Sequence, residues 1–149
     1  MAGGIDKNLL LRQRVFPVRR FPITDQMIKT FLLIFLGGGI GSVFRYATSL
    51  LTQKYYVGSF PLATLLVNII GCFLIGLLVG ISEKMNVTSP DLKFLFITGF
   101  CGGYTTFSTF GYENISLFQN QQTFIALSYI TLSIVVGLLA VWLGLFLAK

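Results

Sequence analysis

The residues able to do chemistry in this chain stand where a lipid-facing helix would carry leucine. The stretch GFCGGYTTFSTF, Gly99 to Phe110, holds three glycines and a cluster of hydroxyls inside the charge-free run Phe94–Tyr112. Glycine is a poor helix former and tolerates unusual φ, so Gly102 and Gly103 are the weakest point of that run. A break there frees backbone carbonyls and amides at membrane depth, which is tolerated only where protein or a bound group satisfies them. Carbonyls aimed inward suit a hard cation such as Na⁺. Beyond the break, Phe107 and Phe110 are three apart, on one face of a second half-helix, with Ser108 and Thr109 between them. A phenyl ring has a positive edge, so edges turned toward a pore can touch a small anion without holding it. A lysine there would bind too tightly, since conduction needs weak or multi-site binding.

Other polar side chains at depth are candidates by the same logic. Asn68 sits near the middle of the run Phe60–Ile81, with Thr64 one turn earlier on the same face. Its amide can donate to a neighbouring helix or to a passing anion. Tyr129 and Ser133 are likewise four apart on one face of the last run. A hydroxyl such as Ser133 can also bond its own helix backbone. Arg45 lies about 14 Å before Lys54 along a helix. Its stem can snorkel to the interface, or its charge can concentrate anions in a wet vestibule.

These residues need long helices to position them. The 149-residue chain is 54% hydrophobic and 11% charged, against about 25% charged in ordinary soluble domains. Phe60–Ile81, Phe94–Tyr112 and Thr123–Ala148 contain no charge, and Thr30–Leu51 contains only Arg45. Each matches the roughly 20 residues that cross a bilayer. The expectation is an all-α membrane protein of four transmembrane helices, the third broken at its centre. A soluble bundle would need polar faces, and barrel strands would alternate in polarity; neither pattern is present. The first helix is expected over about Ile28–Gln53. The second is expected to start after Ser59 and Pro61 and to end near Glu83, and the fourth to cover about Gln122–Leu147. Small residues recur at Gly37–Gly41, at Gly76 and Gly80, and at Gly137 and Gly144, which predicts close helix packing, between subunits included. Cys72 and Cys101 fall inside spans without paired spacing, which favours packing over a disulfide or metal site.

Charge is unevenly distributed in this +6 chain. The first 29 residues hold Lys7, Arg12, Arg14, Arg19, Arg20 and Lys29. A nucleic-acid partner is not expected, because the cluster is short and has no fold around it. It suits a cytoplasmic tail facing anionic headgroups, and it lacks the apolar core of a secretory signal. Residues 1–27 are expected to be a disordered or peripheral extension, and 28–149 the membrane domain; Met27 opens MIKTFLLIFLGGGIG, itself a reasonable start. With the extension, positive charge strongly favours termini inside; from Met27 onward, Lys29, Lys84, Lys93 and Lys149 face only Arg45 and Lys54. Catalysis is not expected: the chain has no histidine, no acid pair and no soluble domain to hold a substrate.

The pieces GGGIGSVFRY (Gly37–Tyr46), TLLVNIIG (Thr64–Gly71) and GFCGGYTTFSTF (Gly99–Phe110), in this order and with the four-span layout, resemble the Fluc (CrcB) family of fluoride channels across residues 28–149. The resemblance implies a small antiparallel, dual-topology homodimer in the cell inner membrane, with two pores that passively export fluoride. It implies pore roles for Phe107, Phe110, Asn68, Tyr129 and Ser133, with Ser108 and Thr109 as neighbouring hydroxyls and Thr64 on the face of Asn68. Arg45 matches the family's arginine and Glu113 an acidic position beyond the half-helix. It also implies a structural Na⁺ at the dimer interface, held by the backbone carbonyls of Gly102 and Thr105. A basic extension departs from a chain that inserts both ways. Either it is not part of the working protein, or the partner is an oppositely biased chain, or the tail does not affect insertion. A second reading is a small four-helix proton-coupled exporter of organic cations. It needs an embedded carboxylate; Glu113 is the only acid within reach, and Arg45 has the wrong sign for a cation. A third is a membrane scaffold that carries no ion.

Overall fold

The computed structural model describes residues 24–84 and 89–149, and among them it is entirely helical. Most of the basic extension and most of the second loop therefore lie outside the described residues. Helix α1 spans Asp25–Tyr55. Thr24 caps it by accepting the Met27 N–H at 3.3 Å, and Asp25 supplies a negative charge to the first turn, both of which favour a helix start. Residues 25–27 thus belong to the first helix and not to the extension.

Helix α2 spans Leu62–Lys84. Its first turn closes through the Leu65 N–H on the Pro61 carbonyl, while Ser59 accepts from the Gln122 side-chain amide at 3.4 Å. The next helical run is one continuous piece made of α3 (Pro90–Leu92), a π-helical segment (Lys93–Cys101) and α4 (Gly102–Tyr104). Thr105 and Thr106 are extended, and α5 (Phe107–Gln119) follows. A turn with Gln121 in the left-handed region leads to α6, Thr123–Ala148. Helices α1, α2 and α6 are each long and apolar enough to cross a membrane. The third expected span is broken, as expected, into two shorter helical runs that meet at Thr105–Thr106.

The break comes two residues after the glycine pair that was expected to cause it, and of that pair Gly103 serves packing. A Cβ on Gly103 would lie 2.3 Å from the Gly38 carbonyl oxygen, and one on Gly41 would lie 2.2 Å from the Phe100 carbonyl oxygen. Only hydrogen lets the two backbones approach this far. Helix α1 and the π-helical run lie parallel, since Gly37 meets residues 95–100 and Gly41 meets 100–104. Helices α2 and α6 form a second parallel pair. A Cβ on Gly76 would stand 2.3 Å from the Val141 carbonyl oxygen, and one on Gly144 2.4 Å from that of Phe73. The small-residue faces are therefore used inside one chain. Exposed apolar side chains such as Phe35 on α1 and Leu138 on α6 cover the outer surface, as lipid contact requires. The chain is a multi-pass membrane protein.

Candidate functional site at the helix break

Where a helix stops inside an apolar bundle, its last carbonyls and the next helix's first amides need partners. Asn68 on α2 supplies two of them. Its Nδ2 donates to the Thr106 carbonyl at 3.1 Å, and its Oδ1 accepts the Thr106 N–H at 2.9 Å. One side-chain amide thus replaces a backbone ladder on both sides of a single residue. The Thr106 N–H would have closed a turn on the Gly102 carbonyl in an unbroken α-helix; it is diverted to Asn68. From α1, Ser42 Oγ donates to the Gly103 carbonyl at 3.4 Å, and Arg45 Nη1 to the Thr105 carbonyl at 3.5 Å. Arg45 is therefore turned toward the break.

Thr106 also caps α5. Its Oγ1 accepts the Thr109 N–H at 3.3 Å, donates to Thr109 Oγ1 at 3.0 Å, and stands 3.3 Å from Ser108 Oγ. Two helix ends meet here with opposite dipole charge: the carbonyl end of α4 is negative and the amide end of α5 positive. The first suits a cation and the second an anion.

Phe107 and Phe110 begin α5 side by side, with ring centroids 5.8 Å apart. Phe107 is 84% exposed. Phe110 packs inward, 5.0 Å from the ring of Tyr129, which Phe60 meets edge-on at 5.6 Å. Tyr129 is fully buried. Its hydroxyl donates to Glu113 Oε2 at 2.9 Å, and Thr64 donates to Glu113 Oε1 at 2.8 Å. Glu113 therefore ties α2, α5 and α6 together through both carboxylate oxygens. Ser133, one turn beyond Tyr129, has its Oγ buried with no protein partner among the described residues.

The expected residues fall into two connected groups. Asn68, Arg45, Gly102 and Thr105 surround the break, while Phe107, Phe110, Thr64, Glu113 and Tyr129 form an aromatic and hydroxyl line beside it. Thr109 and Ser108 join the two through Thr106. A polar cavity of about 270 Å³ connects Arg45, Ser42, Ser49, Thr64, Thr106 and Thr109. A shallower, mostly apolar hollow of about 460 Å³ lies on the outer side of the break, bounded by Asn68, Gly71, Cys101, Gly102, Thr105 and Phe107. Both cysteines are free. Sequence reasoning missed Thr106, Ser42 and Asn114. The signal for Thr106 was available, as a threonine three residues before another at a helix start. Asn114 is buried, donates to the Phe110 carbonyl at 2.8 Å and leaves its Oδ1 without a protein partner among the described residues; its spacing gave no cue.

The fold and site together define an all-helical, multi-pass membrane protein whose neutral donors and aromatic rings gather round a broken helix. Residues 32–145 match the family described as CrcB-like protein, Camphor Resistance (CrcB), and the chain belongs to that family. It is 57% identical over 122 residues to the "Fluoride-specific ion channel FluC" of Flavobacterium psychrophilum, covering 82% of this chain and 98% of that one. Proteins of the same name from Azobacteroides pseudotrichonymphae and Methylobacillus flagellatus are 46% and 48% identical, over 83% and 79% of this chain and 98% and 93% of their own lengths.

Proposed function

We propose that this chain is a fluoride-selective channel of the cell inner membrane that lets fluoride leave the cell down its gradient. The observation that carries the reading is the line Phe107–Phe110–Tyr129, which starts at the positive end of α5 beside the Ser108 and Thr109 hydroxyls and ends where Tyr129 and Thr64 donate to Glu113. A small anion can trade water for hydroxyls and ring edges there without being trapped by a fixed charge. Arg45, at the polar cavity, raises the local anion concentration. Ser133, with a buried hydroxyl that has no protein partner among the described residues, offers a further donor along the same line. Asn68 keeps the second Nδ2 hydrogen for a passing anion while its other atoms hold the break.

The finer architecture we propose is four spans per chain and an antiparallel, dual-topology pair of copies with two pores. The hollow beside Gly102 and Phe107 is the surface such a second copy would cover. The Gly102 carbonyl fits a structural Na⁺: it is a hard oxygen at a helix end of negative polarity, and Gly102 faces open space where a Cβ would meet nothing within 4 Å; the Thr105 carbonyl already accepts from Arg45 at 3.5 Å and would offer the ion its second lone pair. That ion would neutralise the carbonyl end; the chain's own residues hold the geometry.

Replacing Phe107 or Phe110 by isoleucine should lower fluoride efflux from proteoliposomes about tenfold or more, a barrier increase of about 1.4 kcal/mol, with the protein still folded. Normal efflux in both variants would overturn the reading. The exporter alternative asks Glu113 to exchange protons with a substrate, but both its oxygens are held by Thr64 and Tyr129. Cation flux driven by a pH gradient and abolished by Glu113→Gln would favour it instead.

A further inference from the structure

The last turns of α2 and the first turns of the next helical run leave a groove of about 320 Å³ between them. Leu78 and Ile81 of α2 form one wall, and Leu92, Phe96 and Ile97 form the other. Ile81, Leu92 and Phe96 are exposed. Ser82 and Lys93 stand at one end of the groove, nearest to where α2 stops at Lys84 and α3 starts at Pro90. Leu78 lies one turn further in, about 6 Å along the helix. Ile97 also lines the hollow beside the break. The groove therefore has a cationic rim at the end of the bundle and an apolar floor that leads toward the middle.

Among the described residues the only ion pair is Lys29–Asp91, so Lys93, which is exposed, has none there. Asp91, two residues before it, is already engaged by Lys29. Glu83 shares a separate hollow, between α2 and α6, with Lys84 and Lys149, and Asp25 stands in the first turn of α1. A lysine in this position lays its stem on apolar surface and keeps its ammonium in the headgroup layer. Basic pockets between transmembrane helices take lipid headgroups. A diacyl phospholipid matches both halves of the groove, with a phosphodiester for the ammonium and an acyl chain for the apolar walls. A zwitterionic headgroup brings its own cation to the same place, so a headgroup of net negative charge fits better.

We infer that the groove between α2 and the π-helical segment binds one anionic diacyl phospholipid, its phosphate on Lys93 and an acyl chain over Ile81 and Phe96. Asn68 joins α2 to the broken run at the level of the break; the lipid joins them again at the end of the bundle. Ile97 puts the bound chain at the edge of the surface proposed for a second copy. The inference needs only the multi-pass fold and does not rest on the channel reading.

The test offers the purified full chain, in detergent, phosphatidylglycerol or phosphatidylcholine with the same acyl chains. Retained lipid is counted by native mass spectrometry, and the unfolding temperature is followed alongside. The unaltered chain should retain phosphatidylglycerol about fivefold more tightly, the worth of one lysine at an anionic surface, and should unfold at a higher temperature with it. Lys93→Gln, a change at an exposed position, should lower phosphatidylglycerol retention about fivefold, to the level of phosphatidylcholine. Ile81→Trp, which fills the groove, should lower retention of both lipids. Lys149→Gln, in the other hollow, should leave the preference unchanged. Inorganic phosphate should not displace the lipid, because the groove holds the acyl chain as well as the headgroup. Equal retention of the two lipids by the unaltered chain, or unchanged phosphatidylglycerol retention in Lys93→Gln, overturns the inference. So does an Ile81→Trp chain that keeps both lipids but no longer pairs with a second copy, since that copy would then be the occupant of the groove.

Discussion

The α2–α6 contact and the helix break solve one problem, burying backbone in an apolar setting, by opposite means. Along α2 and α6 the backbone is intact, and glycine brings carbonyls of one helix against the other without a polar side chain between them. At Thr105–Thr106 the backbone is interrupted, and side chains from two helices replace the missing ladder. Around Gly76 and Gly144 the first region is a scaffold, because glycine and backbone fill the contact. The second keeps donors, acceptors and two helix ends directed at one small volume, and that is where the chemistry gathers. The difference teaches that a break becomes a site when its substitute partners are themselves polar and adjustable.

The comparison can be broken most forcibly at the scaffold. Gly144→Leu puts a side chain where even a Cβ would lie 2.4 Å from the Phe73 carbonyl oxygen; it should cost about 3 kcal/mol or more, measured as lost folded yield and a lower unfolding temperature in detergent. Next, Asn68→Ala removes both bonds to Thr106, for about 1–2 kcal/mol. Amide exchange at Thr106 and Phe107 should accelerate while that of α6 stays unchanged, and fluoride efflux should fall with it. Exchange rising equally in both regions would show that they are not separate. The smallest effect is expected from Tyr129→Phe, which deletes the bond to Glu113 at about 0.6 kcal/mol and keeps the ring against Phe110. It should trim efflux modestly and leave folding intact, whereas Glu113→Ala, which frees Thr64 as well, should do more.

Much of this was legible in the chain. Long charge-free runs foretold the helices, and scarce polar residues foretold the site, since every polar group at membrane depth needs a reason to be there. Asn68 was legible as a donor but not as a two-handed clasp, because spacing within one helix does not reveal which backbone another helix brings to it. Gly102 and Gly103 suggested the right neighbourhood and the wrong residue: glycine permits both a kink and a close approach, and only the position of Gly38 decides between them. Helix α1 starts three residues before the expected Ile28, where Thr24 caps and Asp25 supplies charge to the first turn. Arg45 was ambiguous for a physical reason, since a long stem reaches either water or the bundle interior.

The measurement closest to the central claim is anion efflux from vesicles holding the purified chain, followed with a fluoride electrode and, in parallel, a chloride electrode. The account predicts rapid fluoride release and no chloride release beyond that of empty vesicles, with the fluoride signal falling about tenfold or more on Phe110→Ile. Equal release of both halides, or of neither, would contradict it.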